Sequence, residues 1–325
     1  MPQVSIIIPH FNRSVLLQQT INSVKAQTYT DWEIIIVDDG SDEIEWERLK
    51  TYEEEKIKIY QRTDGTKGPS RCRNIGVSKS KGTYLIFLDS DDLLADFCLG
   101  QRVGEIEKDN NTGMAVFLME EFNDYPGDTK TCFNIDVPFP KLRGLFIQNR
   151  NPWNVTCPIW KRDFFEKTGG FDESFLFMED PDLHLRVLNK APGNIKICYD
   201  KPADCYYRIN HIDNTKESFW YHSIFYRIQF YKKITSGAYA NDFVISHQQD
   251  IRIGVYHLIR TFLYSRKKQF PELYTELIAW MKESRLFSTF EITKFRFLIN
   301  TGNSASGILQ KLRFRGICYK LLPVD

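Results

Sequence analysis

Along the first hundred residues, short β-branched runs alternate with stretches whose apolar residues recur every three or four positions. Val4–Ile8 is an apolar run stopped by Pro9, which predicts a buried strand. Ser14 can cap a helix reaching about Gln27, with Val15, Leu16, Ile21 and Val24 on one side. Glu33–Val37 predicts a second strand, ended by the turn residues Asp38, Asp39, Gly40 and Ser41. A helix is expected from Trp46 to Glu55 and a third strand over Ile57–Gln61. Gly68 to Lys79 is expected to be a loop entering a helix. Thr83–Leu88 predicts a fourth strand that runs into Asp89-Ser90-Asp91-Asp92.

Strands alternating with helices predict an α/β fold, a mostly parallel sheet sandwiched by helices. Ligands of such sheets bind outside the carboxyl ends of the strands. Pro9–Asn12, Asp38–Ser41 and Asp89–Asp92 fall there. From Lys216 to about Arg285 the spacing is helical throughout. Phe219, Ile224, Ile228 and Tyr231, then Ile251, Val255, Leu258, Ile259 and Phe262, predict two to four helices.

Charge supports this division. Residues 216–325 hold 17 Lys and Arg against 8 Asp and Glu, a net of +9, whereas residues 1–215 are net −8. We therefore expect an α/β domain over 1–215 and a helical, basic C-terminal region over 216–325. The whole chain of 325 residues has a net charge of +1, which argues against a general nucleic-acid binder. Its 14% aromatic content suffices for a substantial core and for sugar- or base-stacking surfaces. No apolar run approaches the roughly 20 residues of a membrane-spanning helix, and the start of the chain shows no secretory signal. Seven cysteines without a CxxC suggest reduced thiols and a cytoplasmic location. Residues 294–325, with Lys294–Leu298 and Ile308–Leu322, mix apolar and basic side chains at a net of +5. Such segments either lie peripherally on the inner face of an anionic membrane or pack on the fold with their charges solvated.

Candidate chemistry sits at the strand ends. Neither GxGxxG nor GxxxxGK[ST] follows a strand, so phosphate must be handled otherwise. Asp89-Ser90-Asp91 offers two carboxylates that can share a divalent cation, which would neutralise a diphosphate; a plain Asp-rich turn is the alternative. Trp153 and Trp160 either stack on a pyranose ring or fill the core. Glu179-Asp180 precedes Pro181, which suits a first helical turn, where carboxylates are favoured.

Six segments, in order and spacing as well as content, resemble the family 2 glycosyltransferases. They are VSIIIPHFNR at 4–13, QT at 27–28, EIIIVDDGSD at 33–42, GPSRCRNIG at 68–76, GTYLIFLDSDDLL at 82–94 and GGFDESFLFMEDPDLHLR at 169–186. The resemblance covers about residues 3–215. It implies the GT-A fold and transfer of a sugar from a nucleotide-sugar donor to an acceptor hydroxyl, usually inverting and with Mn²⁺ or Mg²⁺. By the same resemblance, Pro9 and Phe11 shape the loop under the base, Asp39 hydrogen-bonds a uracil edge and Asp38 braces the turn. Arg71 and Arg73 lie near base and diphosphate, around Cys72 where the family usually has Ala. Asp89 and Ser90 reach the nucleotide; Asp91, Asp89 and His211 hold the metal. Asp180 is the general base, with Glu179 touching sugar or acceptor, and Gly169 and Gly170 line the donor sugar; Trp153 joins that donor and acceptor loop as a candidate on its ring alone, not by the resemblance. His10 adjoins the nucleotide loop and receives no role.

Asp39 favours a UDP-sugar, with GDP and dTDP donors still open. The acceptor is expected to be a saccharide or lipid-linked saccharide of bacterial surface-polysaccharide or glycolipid assembly, and the rear helices could make a homodimer. Two other classes remain at this point: a Mg²⁺-dependent phosphotransferase or phosphatase, since a strand feeding a DxD also fits an aspartyl-phosphate nucleophile, and a catalytically idle scaffold of the same fold.

Overall fold

The structure is a computed structural model that describes residues 2–65, 67–209, 216–263 and 266–302. His211 and the basic stretch after residue 302 lie outside the described residues. The chain divides into two compact units, Met1–Leu142 with Asn151–Ile212, and Arg143–Arg150 with Asp213–Asp325.

The first unit opens with β1 (Val4–His10), α1 (Ser14–Lys25), β2 (Trp32–Asp38), α2 (Glu43–Lys50), β3 (Ile57–Gln61), α3 (Pro69–Lys79) and β4 (Tyr84–Phe87). It continues through β5 (Leu93–Leu94), α4 (Cys98–Ile106), β6 (Met114–Val116), β7 (Met119–Phe122) and β8 (Thr131–Cys132). After α5 (Leu142–Ile147), which begins at the junction of the units, come β9 (Pro158–Lys161), α6 (Arg162–Lys167), α7 (Glu179–Lys190), β10 (Ile195–Ile197) and β11 (Cys205–Arg208).

Among the described residues a seven-stranded sheet has the order β10-β6-β9-β4-β1-β2-β3. All its pairings are parallel except those of β9, which runs antiparallel between β4 and β6. The central strands read as continuous Val and Ile because both faces are covered: Ile6, Ile7, Ile8, Ile34 and Ile36 are fully buried. Register aligns the strand ends. His10 lies opposite Asp38 and Ile7 opposite Phe87, so the loops after β1, β2 and β4 emerge side by side.

The turn after β4 leads straight into β5, the edge of a second, four-stranded sheet of order β5-β11-β7-β8. A buried ion pair fixes β11 from behind: Arg102 on α4 donates through Nε and Nη2 to the two oxygens of Asp204, at 3.0 and 2.6 Å. Both side chains are wholly buried, so each needs the other.

Helix α2 starts earlier than its apolar pattern suggests. The Asp42 side chain accepts from the Glu45 amide at 2.9 Å and caps the helix, and Lys50 ends it. Apolar spacing alone does not register a polar cap.

The second unit contains α8 (Glu217–Lys233), α9 (Asn241–Ser246), α10 (Gln248–Leu258), α11 (Pro271–Glu283) and α12 (Thr289–Gly302). The segment Arg143–Arg150 joins it because Tyr231 on α8 donates its hydroxyl to the Ile147 carbonyl at 3.1 Å, and Gln148 donates to Asp250 at 2.7 Å. Gly254 makes this approach possible: a Cβ there would stand 2.6 Å from the Ile147 carbonyl oxygen. Among the described residues, no helix is long and apolar enough to cross a membrane.

Candidate active site

A cleft of about 330 Å³ opens at the carboxyl ends of β1, β2 and β4. Its walls bring together Pro9, Phe11, Asp39, Arg73, Asp89, Ser90, Asp91 and Glu179 from five separate segments. His10, Arg13, Pro69 and Tyr207 complete the lining.

The β1 end supplies a ring and a fixed loop. Phe11 is 39% exposed, with the Lys67 ammonium 3.4 Å from its ring centroid. Asn12 takes a left-handed backbone (φ 51°) and ties the loop to the next one: its amide donates to Ser41 Oγ at 2.9 Å, and its side chain accepts from the Asp42 amide at 3.0 Å. His10 is buried with neither ring nitrogen hydrogen-bonded, and burial pushes its pKa down.

The two aspartates after β2 divide their tasks. Asp38 is fully buried and accepts from the amides of Gly40 and Ser41, which closes the turn. Asp39 faces the cleft. Its Oδ1 accepts from Arg62 Nε at 2.6 Å and from the Gly68 amide at 3.1 Å. Arg62, just past β3, was not singled out from the sequence; nothing local distinguishes it from a solvated arginine. Gly68 has φ 143°, a backbone that favours glycine, and a Cβ there would meet Leu176 Cδ2 at 2.3 Å.

Arg73 links the two acidic motifs. It is only 3% exposed and donates through Nη2 to Asp89 at 2.7 Å and through Nη1 to Glu179 at 3.0 Å. Arg71, two residues earlier on α3, does not line the cleft; it is committed to Glu173 at 3.0 Å and Asp64 at 3.2 Å.

The turn after β4 concentrates negative charge. Arg13 donates to Asp91 Oδ2, and Arg208 on β11 donates to the Asp91 carbonyl at 2.9 Å. Asp92 is fully buried; one carboxyl oxygen accepts from the Arg208 amide, and the other has no hydrogen-bond partner. Burial, then Asp91 and Asp89, push its pKa well up. Burial and these same acids also raise that of Tyr207.

Glu179 and Asp180 open α7, where helix amides favour carboxylates. Met178 just before them holds a left-handed backbone (φ 73°), a strained conformation for a non-glycine residue. Glu179 reaches the cleft wall, while Asp180 stands beside it without lining the cleft. Burial and the neighbouring Glu179 push the Asp180 carboxyl up to about 8, with Arg73 pulling the other way and Asp89 adding to the rise. Burial raises Glu179 as well.

Gly169 and Gly170 (φ 87° and 71°) form the turn after α6 and do not line the cleft. The loop they begin is docked on α3: Asn74 donates to the Phe171 carbonyl at 2.9 Å and accepts from its amide at 3.0 Å. Trp153 corrects an expectation. It is 0% exposed, with His184 edge-on at 5.4 Å, so burial denies it any sugar. Trp160 is equally buried, stacked on the other side of His184.

The donor set suits a hard divalent cation. Asp89 and Asp91 offer carboxylate oxygens to the cleft, and one oxygen of buried Asp92 beside them has no hydrogen-bond partner. Among the described residues no three His, Cys, Asp or Glu side chains converge at ligand spacing. His211, expected as a further ligand, lies outside those residues.

The segment that builds most of this cleft, residues 5–166, belongs to glycosyl transferase family 2, whose model matches it. The chain is 38% identical over 212 residues to an uncharacterized glycosyltransferase of Rickettsia bellii, covering 62% of this chain and 29% of that one. It is 28% identical over 207 residues to the uncharacterized glycosyltransferase EpsJ of Bacillus subtilis, covering 58% of this chain and 57% of that one. The chain thus spans from about a third to just over half the length of these relatives. Among solved structures, S. aureus TarS 1–349 in complex with UDP-GlcNAc superposes with a TM-score of 0.61 at 17% identity, over 98% of this chain and 90% of that one. The mannosyltransferase PcManGT from Pyrobaculum calidifontis, in complex with GDP-Man and Mn²⁺, gives 0.52 at 15% identity, over 99% and 85%. At these identities both show the shared GT-A fold.

Proposed function

We propose that residues 1–215 transfer a sugar from a uridine-diphosphate-linked donor to an acceptor hydroxyl, with inversion and with Mn²⁺ or Mg²⁺. The observation that carries this is the cleft that Asp39, Asp89, Asp91 and Glu179 all line, with buried Arg73 bridging Asp89 and Glu179. A phosphotransferase would use the Asp89–Asp91 turn but leaves Asp39 and the Glu179-Asp180 motif without a task.

In this reading Phe11 offers its exposed ring to the base. Asp39, with Oδ1 held by Arg62 and Gly68, turns Oδ2 to the uracil N3–H. Asp91 and Asp89 hold the cation, and His211 is the further ligand that the family resemblance implies. The cation when bound would neutralise the leaving diphosphate. Arg73 positions Asp89 and Glu179. Asp180 takes the acceptor proton as the hydroxyl attacks, and the nucleotide departs from the opposite face. A carboxyl raised towards 8 is matched to that task near neutral pH. TarS, which shares the fold, is solved with UDP and with UDP-GlcNAc, which supports a uridine donor. A cytoplasmic saccharide or lipid-linked saccharide acceptor, peripheral membrane contact through the basic C-terminal region, and a homodimer belong to the same proposal.

Asp180→Asn tests it. UDP release from a UDP-sugar in the presence of acceptor should fall about 10²-fold or more, with Mn²⁺-dependent UDP affinity nearly unchanged. Unaltered turnover would remove Asp180 from the chemistry. Phosphate release from simple phosphoesters, without nucleotide-sugar turnover, would favour the phosphotransferase.

A further inference from the structure

We propose that Arg13 is a switch arm. In the ligand-free protein it occupies Asp91; on loading it yields that carboxylate to the divalent cation and turns to the donor diphosphate. This rests on the nucleotide-sugar reading of the cleft.

Arg13 lines the cleft and donates through Nη1 to Asp91 Oδ2, the carboxylate that the cation would need. The pair is unequal: the arginine side chain is 46% exposed and that of Asp91 is 9% exposed. Arg13 is therefore the partner with room to move. Its pivot is held on both sides. Asn12 is bonded to Ser41 and Asp42, and the Ser14 amide donates to Glu45 Oε2 at 2.9 Å. The Asp91 backbone is fixed separately, through the Arg208 bond to its carbonyl. A side-chain swing can thus exchange partners without moving the loop or the turn.

The exchange has a cost and a reward. A half-exposed ion pair is worth a factor of about five or less in an equilibrium, which the cation alone must overcome at Asp91. The diphosphate offers the guanidinium fork a new bidentate partner and so repays that loss. Cation and nucleotide therefore bind cooperatively, and each raises the affinity of the other by the same factor.

The test is calorimetric titration with Mn²⁺ alone, UDP alone, and UDP in the presence of Mn²⁺. It compares the wild type with R13Q, R13K and K67Q. Lys67 is a second cation, seated on the Phe11 ring that lines the cleft. R13Q should bind Mn²⁺ alone about three- to fivefold tighter and lose most of the cooperativity between Mn²⁺ and UDP. R13K should stay near the wild type for Mn²⁺ alone, and K67Q should leave Mn²⁺ affinity unchanged. Unchanged or weaker Mn²⁺ binding by R13Q overturns the switch, and so do equal gains in R13Q and K67Q, which would be a general charge effect. If the wild type binds no UDP with Mn²⁺, the nucleotide-sugar reading itself falls, and the role of Arg13 falls with it.

Discussion

Replacing Arg73 with glutamine should unsettle the fold in a way that depends on pH. Arg73 is buried and carries two charge-assisted hydrogen bonds, to Asp89 and Glu179. Its guanidinium also lies 5.2 Å from the Phe171 ring centroid. Removing one member of a buried pair costs about 3–5 kcal/mol, because the remaining charge stays buried. The two acids differ in how they can respond. Asp89 is 30% exposed and can rehydrate, whereas the Glu179 side chain is 12% exposed and cannot. The loss therefore arises mostly at Glu179, and we expect about 3 kcal/mol at pH 8. Glu179 already has a raised pKa, from burial, and losing Arg73 raises it further. A carboxyl raised in the folded state favours folding most below its unfolded pKa, and that contribution is lost as pH climbs through the folded value. The R73Q deficit should accordingly shrink to about 1 kcal/mol at pH 5, where Glu179 takes up a proton instead of standing as an unpaired charge. Urea unfolding at both pH values, followed by the fluorescence of buried Trp153 and Trp160, reads the difference. The double variant R73Q/E179Q should recover much of the loss at pH 8. A deficit below about 1 kcal/mol at pH 8, or an equal deficit at pH 5, would refute the link between the two acidic motifs.

Other outcomes follow from the same geometry. Transfer should rise with pH through a midpoint near pH 8 and level off only above it, because the base must be ionised and its carboxyl is raised to about 8; under saturating Mn²⁺ and donor the limb should shift lower, since a nearby cation favours the carboxylate. A rate flat from pH 6 to 9 would exclude Asp180 as the titrating base. Asp39→Ala should weaken UDP binding about 10- to 100-fold and abolish any preference for UDP over CDP, which lacks the N3–H; calorimetry with both nucleotides checks this, and a retained preference would place base recognition elsewhere.

The parallel core was legible because both of its faces are buried, which writes β1, β2 and β4 as uninterrupted apolar runs with polar residues massed where they end. What escaped has physical reasons. The strands β5, β8 and β10 are two or three residues long, too short for any period to show. Arg13 and Tyr207 line the cleft and Arg62 braces Asp39 through pairings with distant residues, and no local signal marks them. Trp153 and Trp160 could serve a sugar or the core, and only packing against His184 decides for the core. The segment Arg143–Arg150 belongs with the helical unit through Tyr231, Asp250 and the bare backbone of Gly254. That contact joins residues about a hundred positions apart, and the charge boundary near residue 215 gives no hint of it.

The central claim is that the cleft at the ends of β1, β2 and β4 holds a uridine diphosphate through Asp39 and a cation at Asp89 and Asp91. Calorimetric binding of UDP, GDP and dTDP, each with and without Mn²⁺, tests it most directly. UDP should bind best, and about tenfold or more tighter with Mn²⁺ than without. Binding of none of the three, or UDP binding that ignores the metal, would contradict it.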